Sequence, residues 1–352
     1  MGAHRARSIE VERCDPATSR VIDSGITLQS GEVLASVDRF AITANNATYA
    51  NLGDTAGYWQ FFPACAHSWG IVPAWGYITV TASEHPGVSI GDRFYGFVPM
   101  ASHVVIAPSR IRPTGLVDAA GHRATLPAVY NFYANVATSV DDDDLLWPVL
   151  APVFMLSFLI NEELAETVDP TMRVLITSAS AKAAIGTAYL LHARGVRTIG
   201  ATSTTNHAFC ARLSCYDHVV PYGDIAGIDR RPTVLVDIAG NPAHRTAIEQ
   251  TLGPALQRTI AAGLTHAAPN SGVNLDDLFS APAHIVKLSR RWGRDEFDQR
   301  TTAALISFVA AAAAWLEIIT VTDPDRIRTA LHEAAVGTAA PHQATLATLS
   351  VD

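Results

Sequence analysis

Residues 173–196, RVLITSASAKAAIGTAYLLHARGV, join a short apolar run to a loop of small residues and a helix-forming segment. The run RVLITSA has the continuous apolar character of a strand that is buried on both faces. A strand, a short loop and a helix in this order place backbone N–H groups and the positive end of a helix dipole above the carboxyl end of the strand. The stretch therefore predicts a phosphate-binding turn in a parallel sheet.

The same alternation continues after this turn. Apolar strand patterns follow at 196–203 (VRTIGATS), 233–240 (TVLVDIAG) and 255–266 (ALQRTIAAGLTH), with helical patterns near 208–213 and 243–252. Repeated strand-helix units with continuous apolar strands are typical of a doubly wound parallel sheet. We predict an α/β protein with a Rossmann-type dinucleotide-binding domain at 151–309.

The usual dinucleotide fingerprint has three glycines, for the tight turn, for close approach to the phosphates and for helix packing. Gly186 is the glycine that remains here, and Ser178, Ala179 and Ser180 occupy the loop. The hydroxyls of Ser178 and Ser180 and the charge of Lys182 would compensate by contacting phosphate. The alternative is an ordinary strand-to-helix turn with a solvated Lys182.

The end of the second strand indicates the preferred cofactor. An NAD site commonly has an acidic residue there, about 20 residues after the loop, whereas this chain has ATSTTNH at 201–207. Ser203, Thr204 and Asn206, with Arg212 nearby, would accommodate a 2′-phosphate, so we predict NADP(H) over NAD(H). These small polar residues would alternatively cap the next helix. The predicted cofactor-binding set also includes Tyr222, Gly240 and Gly263.

The first part of the chain has a different pattern. Short strand-like segments such as 31–43 (GEVLASVDRFAIT) and 75–83 (WGYITVTAS) alternate with Gly and Pro from residue 11 to 108, and we expect no helix of useful length there. The final segment, 344–352 (ATLATLSVD), is again strand-like. We predict a β-rich catalytic domain at 1–150 that is completed by about 310–352.

Composition limits the function classes. Of the 352 residues, 49% are hydrophobic and 16% are charged, and the net charge is −8; this balance disfavours nucleic acid as a partner. The four cysteines have no CxxC spacing, so we expect reduced thiols and a cytoplasmic location. The N-terminus lacks the apolar core of a secretory signal. Two apolar stretches, 145–160 and 303–321, are interpreted as buried helices because they are short or rich in alanine, and no membrane partner is expected.

Several motifs together resemble the medium-chain dehydrogenase/reductase superfamily, particularly its zinc-free quinone and enoyl reductase branch. They are GEVLASVDRFAITANNATYANLGD (31–54), VSIGDRFYGF (88–97), VLITSASAKAAIGTAYLL (174–191), CARLSCYDHVVPY (210–222) and TVLVDIAGN (233–241). The chain is also similar to a bacterial family, described as a domain of unknown function, with TANN, SASxK, CYD and SxxWG-like segments. The resemblance implies a GroES-like first domain, a Rossmann-type second domain and a homodimer.

The resemblance also implies the chemistry. Zinc-dependent relatives have a Gly-His-Glu ligand motif where this chain has Trp75-Gly76-Tyr77, so we predict no metal site, although Cys65 and His67 lie close in sequence. A zinc-free reductase passes hydride from the nicotinamide to an activated alkene (enoyl or enone) or a quinone.

In the enoyl reductase branch a tyrosine after the early Asn loop is the proton donor. Tyr58 and Tyr49 are the candidates here, and Asn46, with Asn45, would orient substrate or nicotinamide ribose. An apolar wall for an acyl or aromatic small-molecule substrate would come from Trp59, Phe61, Phe62 and Trp75, for which core packing is the alternative.

Two other functions remain open from the sequence. The altered loop is compatible with a non-redox acid-base enzyme on the same fold, in which the loop binds another phosphorylated or acyl ligand. It is also compatible with a catalytically silent dinucleotide-binding sensor.

Overall fold

The computed structural model describes residues 4–136, 143–169, 171–263 and 279–351. The chain divides into two compact units, one of Met1–Val149 with Glu317–Asp352 and the other of Leu150–Leu316. Each unit has its own hydrophobic core.

Most of the described strands lie in the first part of the chain, before α2, and most of the described helices lie after it. The described strands are β1 His4–Glu12, β2 Asp15–Ile26, β3 Val33–Ile42, β4 Trp69–Gly70, β5 Pro73–Ser83, β6 Arg93–Pro99, β7 His103–Ile106, β8 Pro108–Arg112, β9 Gly115–Asp118, β10 Phe132–Asn135, β11 Arg173–Ile176, β12 Arg197–Thr202, β13 His218–Pro221, β14 Thr233–Asp237, β15 Leu256–Ala261, β16 Glu317–Val321 and β17 Gln343–Ala347. The described helices are α1 Ala44–Asn51, α2 Asp143–Ala165, α3 Lys182–Ala193, α4 Thr204–Arg212, α5 Pro242–Leu252, α6 Ala281–Trp292, α7 Arg294–Ala312 and α8 Pro324–Val336.

The first unit is β-rich. Its described strands form one small sheet, in the order β2-β1-β4, and one large sheet, in the order β16-β17-β3-β5-β6-β10-β9-β8, with β7 also paired to β3. Apart from the parallel β16–β17 pair, the pairing in the large sheet is antiparallel. Alternate side chains of β3, β5 and β6 fill a core with residues of α8. The C-terminal strand β17 lies beside β3, so the last segment of the chain completes the large sheet of the first unit.

One expectation for this unit is wrong, because helix α1 interrupts the β-rich segment at Ala44–Asn51. The helix is specified by a capping box rather than by apolar periodicity. The Thr43 hydroxyl accepts from the Asn45 N–H, and the Asn46 side chain accepts from the Thr43 N–H at 2.7 Å. Two satisfied N–H groups at the first turn are sufficient to begin a short helix.

The second unit contains the predicted parallel sheet, whose described strands follow the order β13-β12-β11-β14-β15. All of its pairs are parallel. Strands β11 and β14 lie in the centre, and their side chains are buried throughout. Strand order that steps outward from a central strand in both directions is the doubly wound arrangement.

The sequence predicts one buried helix over the alanine-rich stretch 303–321, and the structure shows that this prediction is wrong. Helix α7 ends at Ala312, and the chain enters β16 at Glu317. The β-branched run from Ile318 to Val321 pairs in parallel with β17. The strand conformation of 317–321 depends on pairing with β17, which is distant in sequence, so the local pattern of apolar residues does not indicate it.

The other apolar stretch lies in α2. By length and composition, Leu145–Ala165 is a described helix that could cross a membrane, with a mean hydropathy of 1.6, and 50% of its most apolar window is buried inside the protein. A core helix meets the same criteria, so this is weak evidence for a span.

Candidate functional site

The predicted phosphate loop lies between β11 and α3, as a tight turn. Ser178 adopts a positive φ of 49°, which costs a non-glycine residue roughly 1–2 kcal/mol. The turn is closed by the Ala181 N–H, which donates to the Ser178 carbonyl at 2.7 Å. Serine therefore takes the left-handed backbone conformation that glycine usually supplies, and the loop is tight despite its missing glycines.

Three features at this turn favour an anion. The residue before α3 is Ala181, which has no side-chain acceptor for the first N–H groups of the helix. The Ser178 hydroxyl is buried without a hydrogen-bond partner in the described part of the chain. Lys182 is the first residue of α3, and burial lowers its pKa to about 8. A cation is unfavourable at the positive end of a helix dipole, and an anion would relieve this.

The rest of the loop is fixed by backbone contacts. The Ala179 N–H donates to the Ala201 carbonyl at 3.0 Å, and its carbonyl accepts from the Tyr216 hydroxyl at 2.9 Å. Gly200 makes room for this approach, since a Cβ there would lie 2.8 Å from the Ala179 Cβ. Sequence reasoning missed Gly200, because it lies inside a strand.

Gly186 has the packing role that the fingerprint assigns to its last glycine. A Cβ at Gly186 would lie 2.8 Å from the Ser157 Oγ and 3.3 Å from the Phe154 ring. The Ser157 hydroxyl donates to the Ala183 carbonyl at 2.7 Å, which joins α2 to the first turn of α3. The glycine thus permits the close packing of the two helices.

A hydrogen-bonded network, here called the strand-end hub, connects the ends of β11 and β14. It consists of Thr177, Asp237 and Arg245. The Thr177 hydroxyl donates to Asp237 Oδ1 at 2.7 Å and accepts from the N–H groups of Ile238 and Ala239 at 2.9 and 3.0 Å. Arg245 makes an ion pair with the other Asp237 oxygen at 2.7 Å. Both Thr177 and Asp237 are buried.

The hub also holds the two predicted glycines after β14 and β15. The N–H of Gly240, a residue with φ +64°, donates to Asp237 Oδ1 at 3.1 Å. The Gly263 N–H donates to the Asp237 carbonyl at 3.2 Å. A Cβ on Gly263 would lie 2.2 Å from the Ile238 carbonyl oxygen, so this position requires glycine. The loops that follow β11, β14 and β15 are therefore joined to one another at the carboxyl ends of these three neighbouring strands. Ligands bind at this edge of the sheet in this fold.

Tyr222 also lies at the phosphate loop. Its hydroxyl accepts from the Ser178 N–H at 2.7 Å, and its ring stacks on His244 with centroids 3.7 Å apart. The structure therefore places Tyr222 beside the turn, although it is in a short 3-10 helix after β13.

The polar residues after β12 are partly used within the protein. The Ser203 hydroxyl accepts from the Asn206 N–H at 3.3 Å and caps α4. The Asn206 side chain donates to Ser180 Oγ at 3.1 Å, which links the end of the second strand to the phosphate loop. Ser203 and Thr204 are exposed, as is Arg212 at the end of the same helix.

The catalytic candidates lie in the first unit, in an aromatic cluster made of Tyr49, Tyr58, Trp75, Phe97 and Tyr130. The ring centroids of Tyr49 and Tyr58 are 4.7 Å apart, and those of Phe97 and Tyr130 are also 4.7 Å apart. Tyr58, Trp75 and Tyr130 are half-buried. Burial raises the pKa of both Tyr49 and Tyr58 above the ordinary tyrosine value, so both phenols are neutral at pH 7.

The two hydroxyls have different partners. The Tyr49 oxygen accepts from Asn45 Nδ2 at 2.7 Å and from Trp75 Nε1 at 3.0 Å. The Tyr58 hydroxyl pairs with the Tyr130 hydroxyl at 3.0 Å. The Asn45 amide and the Trp75 indole both donate to the Tyr49 oxygen. In the Tyr58–Tyr130 pair, by contrast, either hydroxyl can donate to the other.

Asn46, the third catalytic candidate, is engaged with the backbone. Its Oδ1 accepts from the Thr43 N–H at 2.7 Å and its Nδ2 donates to the Pro73 carbonyl at 2.9 Å. The side chain is 3% exposed. This geometry gives Asn46 a role in holding α1 against β5.

The predicted apolar wall is mostly core. Trp59, Phe61 and Phe62 are buried. Trp59 fills the space over Gly53 and Gly70, where an added Cβ would lie 2.0 and 2.4 Å from its ring. Trp75 is the member of the predicted wall that remains half-buried.

In the described ranges, no group of three or more His, Cys, Asp and Glu side chains is placed to hold a metal ion. Cys65 and His67 are exposed.

A comparison with models of protein families assigns the chain to one family. Residues 40–340 match the model of the DUF2855 family, described as a protein of unknown function. A search of curated protein sequences gives no match.

Solved structures are similar over nearly the whole chain. The crystal structure of CurA in complex with NADPH from Vibrio vulnificus has a TM-score of 0.64 and 11% identity, over 98% of this chain and 100% of that one. A quinone oxidoreductase from Pseudomonas syringae has a TM-score of 0.57 and 16% identity, over 97% and 99%. A cobalt- and zinc-bound thermostable alcohol dehydrogenase from Pyrobaculum aerophilum has a TM-score of 0.56 and 14% identity, over 98% and 100%.

At these identities the similarities show the fold, which is a GroES-like β-rich domain together with a Rossmann-type domain. The family match covers most of the sequence. The chain therefore belongs to the DUF2855 family and has the fold of the medium-chain dehydrogenases/reductases.

Proposed function

We propose that the protein is an NADPH-dependent, zinc-independent reductase that transfers hydride to an activated alkene or a quinone. The observation that carries this proposal is the turn from β11 to α3. A buried serine hydroxyl without a partner in the described residues and a lysine with a lowered pKa meet at a helix start that lacks a side-chain cap. Such a turn fits the pyrophosphate of a dinucleotide.

The proposed cofactor residues surround this turn. The Ser178 hydroxyl, Lys182 and the first N–H groups of α3 would hold the pyrophosphate. The exposed hydroxyls of Ser203 and Thr204, with Arg212, would hold the 2′-phosphate. Structures of similar fold support the choice of NADPH, since one of them is a complex with this cofactor. Asn206 is assigned an indirect role, because its side chain binds Ser180.

The proposed chemistry needs one proton from the protein. When bound, NADPH supplies a hydride, which is two electrons with one proton, to the substrate. A negative charge then develops on the oxygen of the activating group, and a neutral phenol can donate its proton there. Tyr49 and Tyr58 are both neutral because burial raises their pKa. Water then restores the proton of the phenol.

Zinc independence is proposed from the residues that stand where zinc-dependent relatives have their metal ligands. The segment Trp75-Gly76-Tyr77 lies in β5, and its indole and phenol side chains are not among the usual zinc ligands. Gly76 lies so close to β3 that a Cβ would be 2.2 Å from the Arg39 carbonyl oxygen, so no ligand side chain fits at that position. The homodimer and the cytoplasmic location stay predictions.

The test is consumption of NADPH, followed by its absorbance, with a panel of enones, enoyl thioesters and quinones. We expect turnover with at least one class, and a large loss in Tyr49→Phe or Tyr58→Phe, which keep the ring and remove the proton. Ser109→Ala is a matched control, because its hydroxyl bonds to a carbonyl within the β8–β9 pair of the same unit. NADPH binding without turnover across the panel would favour the sensor, and turnover unaffected by either tyrosine change would refute the proposed donor.

A further inference from the structure

We propose that the first unit has a separate binding site, a cavity beside the β5–β6 turn that takes an anionic amphiphile. By this we mean an alkyl or acyl chain that ends in a carboxylate or a phosphate. The cavity has a volume of about 360 Å³, which lies within the range of small-ligand sites. The residues proposed above for the cofactor and for catalysis are not among those that line it.

The cavity lies at one end of the β5–β6 pair. The connection between these strands, the end of β8 with the start of β9, and the end of β10 surround it. The aromatic cluster lies further along the same strands. Phe94 lines the cavity, and Phe97 of the cluster follows three residues later on β6, roughly 10 Å away. The cavity is thus distinct from the aromatic cluster.

Much of the surface at the cavity is apolar. Val88 and Phe94 line it and are each only 4% exposed. Ile111 also lines it and is 42% exposed, and Ile90 in the neighbouring turn is 69% exposed, the highest value among the exposed large hydrophobic side chains of the described residues. Removing such apolar surface from water is favourable. An alkyl chain that covers these isoleucines would therefore be held by burial.

The backbone of β8 is unusual where Ile111 reaches the cavity. Arg110 has a positive φ of 47°, which is unfavourable for a residue with a side chain, and the pairing of β8 with β9 shifts register between Ser109 and Arg112. In this arrangement Ile111 Cδ1 lies 3.0 Å from where a Cβ on Gly87 would be. Strained backbone of this kind is concentrated at ligand sites, and here it accompanies an exposed apolar side chain that spans the cavity.

Arg112 supplies the charge for an anionic head group. It lines the cavity and is exposed, and its side chain makes no hydrogen bond or ion pair with another described residue. Arg110, two residues earlier, is also exposed and has no such partner in the described ranges. A carboxylate or phosphate oxygen would give Arg112 a charge-assisted hydrogen bond.

The other charged groups of the lining are already held by the protein. Arg93 makes an ion pair with Asp38 at 3.4 Å. Asp92 is the acidic member of the lining, and its Oδ2 accepts from the Ser89 N–H at 2.8 Å, within the turn. The two arginines on β8 outnumber this carboxylate, so the local charge favours an anion. Apolar surface beside an arginine that lacks a partner favours an amphiphile over an inorganic anion or a neutral hydrocarbon.

The test is isothermal titration calorimetry of the full-length protein, without cofactor, with octanoate and decanoate below their micelle concentrations. Burial of each CH₂ group should tighten binding about four-fold, so decanoate should bind roughly fifteen-fold more tightly than octanoate. Arg112→Gln should weaken the binding of both acids about ten-fold and leave the binding of 1-octanol unchanged. Ile111→Gln should weaken the binding of acids and alcohol alike.

Arg326→Gln is the matched control, because Arg326 is an exposed arginine of α8 whose side chain has no hydrogen bond or ion pair with another described residue. It should bind both acids as the wild type does. The substituted side chains are all exposed, so the variants should fold, and their thermal unfolding is measured in parallel.

The same head group can belong to a free acid or to a lipid. Cosedimentation with phosphatidylcholine vesicles, with and without phosphatidylglycerol, separates these sources. Binding to the anionic vesicles that is lost in Arg112→Gln would identify a lipid surface, whereas binding of decanoate without cosedimentation would identify a soluble acid. Affinity for decanoate that Arg112→Gln and Ile111→Gln leave unchanged would overturn the site, as would a lack of binding to both acids and vesicles. Neither result depends on the proposed reductase function.

Discussion

Replacement of Thr177 by valine removes one oxygen from the strand-end hub and almost nothing else, because the two side chains have the same shape. The Thr177 hydroxyl makes three hydrogen bonds in a fully buried position, one to the Asp237 carboxylate and two from backbone N–H groups. A buried polar group that loses its partner costs about 1–3 kcal/mol. Three buried groups lose a partner at once; since part of the summed cost is recovered by local relaxation, we expect Thr177→Val to lower the free energy of unfolding by about 2–5 kcal/mol.

The assay is thermal and urea unfolding of the full chain, followed by circular dichroism. For a unit of this size the loss corresponds to a fall in Tm on the order of 10 °C. Thr187→Val is the matched control, because Thr187 is equally buried and its hydroxyl bonds to one carbonyl in its own helix. We expect the control to cost about 1 kcal/mol or less. Equal losses in the two variants would refute the hub as a structural junction.

Three further predictions concern Lys182, Gly263 and Arg123. Burial lowers the pKa of Lys182 to about 8, so the affinity for NADPH should fall in the wild type as pH rises through about 8 and should not change with pH in Lys182→Ala. The measurement is a binding titration at several pH values. The same dependence of affinity on pH in both proteins would exclude Lys182 from the site. Gly263→Ala should unfold at lower temperature, because its Cβ would lie 2.2 Å from a backbone oxygen, whereas Gly223→Ala, with open space around it, should be nearly neutral in calorimetry. Arg123→Met leaves the buried Asp118 carboxylate without its ion pair, which should cost about 3–5 kcal/mol in urea unfolding; a neutral effect would contradict this.

The Rossmann-type unit could be predicted because its signals are local. A continuous apolar strand, a loop of small residues and a helix occur together at 173–193, and the repeats after it fix the parallel sheet. The left-handed conformation of Ser178 could not be predicted, since serine rarely adopts it. It depends on the surrounding backbone contacts, which are set by tertiary structure.

The first unit was harder to predict because its decisive contacts are distant in sequence. The strand β16 follows an alanine-rich helix and is specified by pairing with β17. In the aromatic cluster, the sequence indicates Tyr49 and Tyr58 but not their partners Trp75 and Tyr130, which come from other elements. The strand-end hub was missed for the same reason, since 60 residues separate Thr177 from Asp237.

The central claim is that the turn at Ser178 and Lys182 binds NADPH. It is tested most directly by titrating the purified full chain with NADPH and NADH while following cofactor fluorescence, in the wild type and in Lys182→Ala. We expect saturable NADPH binding that is tighter than NADH binding and is weakened about ten-fold or more by the substitution, as expected for one charge-assisted contact. Absence of saturable binding to either cofactor would contradict the account.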